Sequence, residues 1–245
     1  MNTDLEVVRY DDSQTDYRNV ANYDDVRYSK PADIYKKQVT ENAYRKLVGP
    51  LEGKRILDVG CGTGRGLADF AGRAHLAIGA DASHEMLLRA AQKMASQPAS
   101  GVVRSYAQHL PFPSAYFDVV TALNFLHLFS LNAQRDMITE MKRVAKPDGA
   151  LVLEFDNALH GVVVGPYKRW AGKERGSMPK EIRYVIGPDC RVTHVYGAVF
   201  PVVWRFFRRF PRIFIPFEKI AYYAPINRIS HRVFYRLVKP PVARH

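Results

Sequence analysis

The stretch Ile56-Leu57-Asp58-Val59-Gly60-Cys61-Gly62-Thr63-Gly64-Arg65-Gly66 decides how the rest of the chain reads. A short apolar run closes in spaced glycines and opens onto a helical pattern through Leu67, Phe70 and Ala71. That order reads as a buried strand, a tight turn and a helix N-terminus. Glycines at 60, 62 and 64 permit unusual backbone angles and carry no Cβ, so a nucleotide-like molecule can lie directly against the main chain. The free N–H groups of the helix then face it.

A dinucleotide fingerprint wants glycine at the first, third and sixth positions, with alanine allowed at the last. Counting from Gly60 puts Arg65 sixth and counting from Gly62 puts Leu67 there, so the pattern fails both ways. The stretch instead resembles the first motif of the class I S-adenosylmethionine-dependent methyltransferases, a hydrophobic run followed by Asp-Val-Gly-Cys-Gly-Thr-Gly. The resemblance implies an α/β, Rossmann-like, doubly wound sheet of seven strands, the last running antiparallel between the fifth and the sixth. It also implies S-adenosyl-L-methionine as cofactor, with Asp58, Gly60, Cys61 and Gly62 beside it.

The run His75–Ala80 reads as the second strand and ends in Asp81, which lies 21 residues beyond Gly60. That is the separation at which a β–α–β unit brings a carboxylate to a bound ribose. Two hydroxyls donate well to one carboxylate, so spacing and resemblance agree on Asp81. The next helix, Ser83 to Met94, begins with a capping serine, and Ala82 and Met86 in its first turn face the adenosine. The third strand is read over Val102–Ala107. The following Ala107-Gln108-His109-Leu110-Pro111-Phe112-Pro113 resembles the ubiquinone and menaquinone methyltransferase branch, where Asp-Ala-x-x-Leu-Pro-Phe is usual. Tyr106 stands where that branch has an acid for the adenine amino group, which leaves Ala107 and Gln108 to read the ring.

Phe117–Asn124 gives the fourth strand, and its end, Asn124, is the position that in this family faces the transferred methyl. Asn124-Phe125-Leu126-His127 departs from the Asn/Asp-Pro-Pro-Tyr/Phe signature of amino-methylating nucleic-acid enzymes. A helix over Asn132–Val144, the turn Lys146-Pro147-Asp148-Gly149 and a strand over Ala150–Phe155 complete the resemblance, which covers residues 50–156. Beyond it, Pro179–Ile186 reads as a helix, Arg191–Tyr196 as a sixth strand and His231–Val238 as the last. The chain divides into an N-terminal lid and helix (1–49), a cofactor-binding core (50–156) and substrate-side inserts with the final strands of the same domain (157–245). In the first part a helix runs from Pro31 to a stop at Gly49-Pro50. Tyr28 is the lid aromatic that the resemblance places over the cofactor.

Composition bounds the partners. At 245 residues and 47% hydrophobic the chain buries a full core, and no window of 18 residues is free of charge, so no bilayer-spanning helix is expected. The start of the chain lacks a secretory pattern, and two cysteines make no disulfide framework, which together point to a cytoplasmic setting. Residues 1–156 carry 19 Lys/Arg against 20 Asp/Glu, whereas residues 157–245 carry 17 against 4. All the positive excess therefore lies in the last third, which suits an anionic partner. In segment 197–228, Val203, Phe206, Phe207, Phe210 and Phe214 recur at helical spacing opposite Arg205, Arg208, Arg209 and Arg212. This fits contact with an anionic membrane surface, hence a peripheral place at the inner membrane face, or a long hydrophobic substrate. It fits equally phenylalanines packed on the sheet with arginines in water.

Methyl transfer from a sulfonium needs alignment and exclusion of water, with no nucleophilic residue on the protein. An O- or C-acceptor adds the need for a general base, and His127, just beyond the fourth strand, is the first candidate, ahead of His160, Tyr28 and Glu154. The histidines are scattered and the cysteines far apart, so no metal centre is expected. The reading is a methyltransferase acting on a small-molecule or lipid-like acceptor. The alternatives are an RNA-modifying methyltransferase, for which no RNA-binding module accompanies the charge, and a catalytically silent cofactor-binding protein.

Overall fold

The computed structural model describes residue 24 and residues 31–159, 176–199 and 230–240, with side chains from residue 36 onward in the longest segment. In chain order the elements are α1 (Pro31–Val48), β1 (Arg55–Val59), α2 (Arg65–Phe70), β2 (Leu76–Asp81), α3 (His84–Met94), β3 (Ser100–Arg104) and β4 (Phe117–Ala122). A 3₁₀ turn (Leu126–Leu128), α4 (Leu131–Val144), β5 (Ala145–Asp156), α5 (Pro179–Ile186), β6 (Arg191–Ala198) and β7 (Arg232–Val238) follow.

The strands form one seven-stranded sheet in the order β3-β2-β1-β4-β5-β7-β6. The pairs from β3 across to β5 are parallel, and β7 is antiparallel to both β5 and β6. This is the doubly wound arrangement, with an antiparallel last strand between the fifth and the sixth, that the resemblance implies.

Alternation along the strands sorts the core into two layers, because successive side chains of a strand point to opposite faces. Leu57, Val59, Val120, Leu151, Leu153 and Leu237 pack with Met137, Ile138 and Met141 of α4 and Ile182, Val185 and Ile186 of α5. Ile56, Val119, Val152 and Phe234 turn the other way and meet Val39, Ala43, Tyr44 and Leu47 of α1 with Leu67 and Phe70 of α2. Covered on both faces, β1 and β4 are apolar at adjacent positions (Ile56-Leu57, Val119-Val120) with only Asp58 and Thr121 as buried polar exceptions, which is why they read so clearly in the sequence.

Several strand ends differ from the sequence reading: β4 stops at Ala122, which puts Asn124 in the loop beyond it, and β6 runs on to Ala198. β3 ends at Arg104, so Ser105, Tyr106 and Ala107 belong to the loop that leaves the sheet. β5 starts at Ala145, five residues earlier than expected, and carries Lys146-Pro147-Asp148-Gly149 as an irregularity, with Asp148 at φ 61° and a register shift against β4. Strand order reverses between β1 and β4, and a parallel sheet opens a crevice at the carboxyl ends of its strands at such a point.

Candidate active site

The bend after β1 is fastened to the end of β2. Gly60 and Cys61 both donate their N–H to the carbonyl of Ala80, at 2.8 and 3.1 Å. The Asp81 carboxylate closes the clasp: Oδ2 accepts the N–H of Gly62 at 2.8 Å and Oδ1 that of Ser83 at 2.9 Å. Each oxygen keeps a further lone pair for a ligand. Gly60 has φ 69°, and a Cβ there would run into the Phe125 ring. Gly64, at φ 75°, starts α2, and a Cβ on it would come within 2.8 Å of Ala90 Cβ in α3. Glycine is required at both positions by backbone angle and by space.

Two cavities meet at this bend and share Gly60, Gly62 and Asn124 as walls. The first, about 320 Å³, is lined by Asp81, Ala82, Ser83, Met86, Ser105, Tyr106, Ala107, Gln108, Phe125 and Phe129 among others. The second, about 360 Å³, lies between α1 and α2, with Thr40, Glu41, Tyr44, Arg45, Asp58, Cys61, Thr63 and Arg65 on its walls. Both volumes are those of small-molecule sites. The sequence candidates Asp58, Gly60, Cys61, Gly62, Asp81, Ala82, Met86, Ala107, Gln108 and Asn124 are thus brought together around one bend. Tyr28 and His160 lie outside the described residues, as does segment 200–228 of the basic insert. Asp24, from the expected lid, does reach the second cavity, where it accepts from Thr63 Oγ1 at 3.0 Å and pairs with Lys93 at 2.5 Å.

The electrostatics divide along the same line. Asp58 is 3% exposed, and burial pushes its carboxyl up to about 7, against the pull of the Thr121 hydroxyl, which donates to Oδ1 at 2.8 Å. Burial likewise pushes the Cys61 thiol up, with Asp58 and Asp81 adding to the effect, so this thiol stays protonated and unreactive. Tyr44 is buried beside Asp58, and its phenol is pushed well above the usual range by burial and by that carboxyl. The Ser105 hydroxyl is fully buried with no protein partner and belongs to a wall of the 320 Å³ cavity. An orphaned buried hydroxyl costs free energy unless a ligand satisfies it. Together with the Asp81 clasp and the glycine cradle, it makes the donor and acceptor set fit a nucleoside.

His127 sits in the 3₁₀ turn, half-buried, and lines neither cavity. Sequence reading missed Ser105, placed in a strand, and the α1 residues Thr40, Glu41 and Tyr44. Tyr44 carries a signal of its own, since it follows Ala43 on the inward face of α1. Among the described residues no group of His, Cys, Asp and Glu can hold a metal ion, and no helix is long and apolar enough to cross a membrane.

Sheet order, glycine bend and the acid at the end of β2 define a class I methyltransferase fold. Residues 57–153 match the family described as "Methyltransferase domain", and the fold is that of the class I methyltransferases. The chain is 38% identical over 133 residues to the ubiquinone/menaquinone biosynthesis C-methyltransferase of Stutzerimonas stutzeri, covering 51% of each chain. It is 35% identical over 121 residues to the phosphatidylethanolamine N-methyltransferase of Cereibacter sphaeroides, covering 47% of this chain and 58% of that one. It therefore spans little more than half the length of the curated relatives it matches. Among solved structures, the magnesium protoporphyrin IX methyltransferase of Synechocystis superposes with a TM-score of 0.64 at 19% identity, over 92% of this chain and 97% of that one. The similarity at that identity is one of fold.

Proposed function

We propose that the protein is an S-adenosylmethionine-dependent methyltransferase acting on a small-molecule or lipid-like acceptor. The observation that carries the reading is the pair of cavities meeting at Gly60, Gly62 and Asn124, with the Asp81 carboxylate on one side and buried Asp58 on the other. Asp81 and Ser105 would hold the ribose and the adenine, and Asp58, Tyr44 and the bend would take the methionine end. The bound cofactor supplies an already activated methyl group. The work left to the chain is to exclude water and hold the acceptor in line, which Phe125, Leu128 and Phe129 serve by walling the cavity beside Asn124.

The acceptor class rests on two supports. Relatives that match the core are named for a quinone and for a phospholipid substrate. The Asn124-Phe125-Leu126-His127 sequence at the end of β4 also lacks the signature of nucleic-acid amino methylation. His127 remains the proposed base for an acceptor that must lose a proton.

Titration calorimetry with S-adenosylhomocysteine tests the cofactor assignment. Intact protein is expected to bind it, and Asp81→Ala to weaken binding by about a hundredfold, as expected when a carboxylate that accepts two hydroxyls is removed. Because Asp81 also fastens the bend, Asp81→Asn, which keeps one acceptor, should fall between the two. An intact protein that binds no S-adenosylhomocysteine would refute the assignment.

A further inference from the structure

Behind the site lies a buried charged network that neither the cofactor nor His127 accounts for. Glu154, 1% exposed on β5, accepts the N–H of Asn124 on Oε2 at 2.9 Å and the Arg232 guanidinium on Oε1 at 3.0 Å. The same Arg232 nitrogen stands 2.6 Å from Asp156 Oδ1, so one guanidinium from the first residue of β7 bridges two carboxylates of β5. Burial would raise the Asp156 carboxyl, but Arg232, with His127, His231 and Lys36 around it, holds it below the usual range. With both oxygens engaged, Glu154 is not placed to act as a base.

Its effect falls on the loop after β4. Asn124 has φ 49°, in the left-handed region that L-residues other than asparagine and aspartate seldom adopt, and its N–H is the group that Glu154 accepts. Its neighbour Phe125 presses its ring onto the Cβ side of Gly60. A path of contacts thus runs from Arg232 to Glu154, to the Asn124 N–H, and through Phe125 to the glycine bend.

We propose that Glu154 and Arg232 are positioning residues for the methyl-facing loop, holding Asn124 left-handed and Phe125 over the bend so that both cavities keep their shared wall. The link to methyl transfer rests on the function proposed above; the hold on the loop does not. Glu154→Gln keeps size and shape, but its amide must present a donor either to the Asn124 N–H or to Arg232. Arg232→Lys keeps the charge and loses the fixed fork.

The test combines amide hydrogen exchange of the segment 122–128 with calorimetry using S-adenosylhomocysteine. In Glu154→Gln, exchange in that segment should quicken by about tenfold or more while the β1 and β2 segments keep wild-type protection, and affinity should drop about tenfold, as for loss of a hydrogen bond to a charged group. Arg232→Lys, which keeps the charge, should change both in the same direction but less than Glu154→Gln. Wild-type exchange in 122–128 in both variants would overturn the proposal, as would protection lost evenly across the sheet, which is the mark of a merely structural role. If wild-type protein binds no S-adenosylhomocysteine, the function proposed above fails, and the exchange result still decides the role of Glu154 and Arg232.

Discussion

Asp58, in β1 just before the bend, shows how much one residue is asked to do. Its carboxyl is raised by burial and by Asp81 and pulled back by Thr121 and Arg65, and it comes to rest at about 7, against 3.8 for the free group. Between those two values the folded chain holds a proton that the unfolded chain has released. This group's contribution to stability is therefore largest below about pH 4, declines as pH rises toward 7, and is level above that. Asp58→Asn should remove that decline, so the difference in Tm between variant and wild type should grow in the variant's favour from pH 4 to pH 7. Parallel Tm profiles would show that Asp58 titrates normally. A ligand bearing an ammonium group prefers the ionised carboxylate, so wild-type affinity for S-adenosylhomocysteine should strengthen as pH passes 7, and Asp58→Asn should lack that rise.

At the scale of elements, α1 lies outside the matched residues 57–153 yet lines the proposed cofactor site. Thr40, Glu41, Tyr44 and Arg45 wall the 360 Å³ cavity, and the helix is held at its C-terminus by β7: Arg236 Nη1 donates to the carbonyls of Leu47 and Val48. A cation at a helix C-terminus meets both unsatisfied carbonyls and the negative end of the helix dipole. Arg236→Met should cost about 1.5 to 3 kcal/mol of stability in urea titrations, the range for hydrogen bonds to a charged group. It should also weaken S-adenosylhomocysteine binding through α1, and an unchanged unfolding midpoint would remove Arg236 from the account. That anchor was invisible in the sequence because it joins residues 188 positions apart or more. What was legible was local. The adjacent apolar pairs Ile56-Leu57 in β1 and Val119-Val120 in β4 announce strands covered on both faces, and Ser83 marks the start of α3, where its hydroxyl accepts the Met86 N–H. The end of β3 was misjudged because Val102-Val103 is followed by residues that suit a strand as well as a loop. Ser105 was lost with it, since what makes that hydroxyl notable is a burial only the folded chain has.

Over the whole molecule the charge division is the property that the fold explains least and a partner would explain best. The core up to Asp156 is nearly neutral, whereas 17 Lys/Arg against 4 Asp/Glu follow it. Two of the later arginines, Arg232 and Arg236, are absorbed by Glu154, Asp156 and the α1 carbonyls. That leaves Arg205, Arg208, Arg209 and Arg212, interleaved with phenylalanines, as the chief unexplained group, in a segment outside the described residues. If they meet an anionic leaflet, each contributes about 1 kcal/mol, so three together are worth about a hundredfold in partitioning. Sedimentation with vesicles of phosphatidylglycerol and phosphatidylcholine should carry wild-type protein down, with binding that falls as salt screens the surface. Replacing Arg205, Arg208 and Arg209 by glutamate should abolish it at equal S-adenosylhomocysteine affinity. Binding indifferent to lipid charge would assign the phenylalanines to packing, and a salt-sensitive gel shift of transfer RNA without vesicle binding would move the basic segment to nucleic acid.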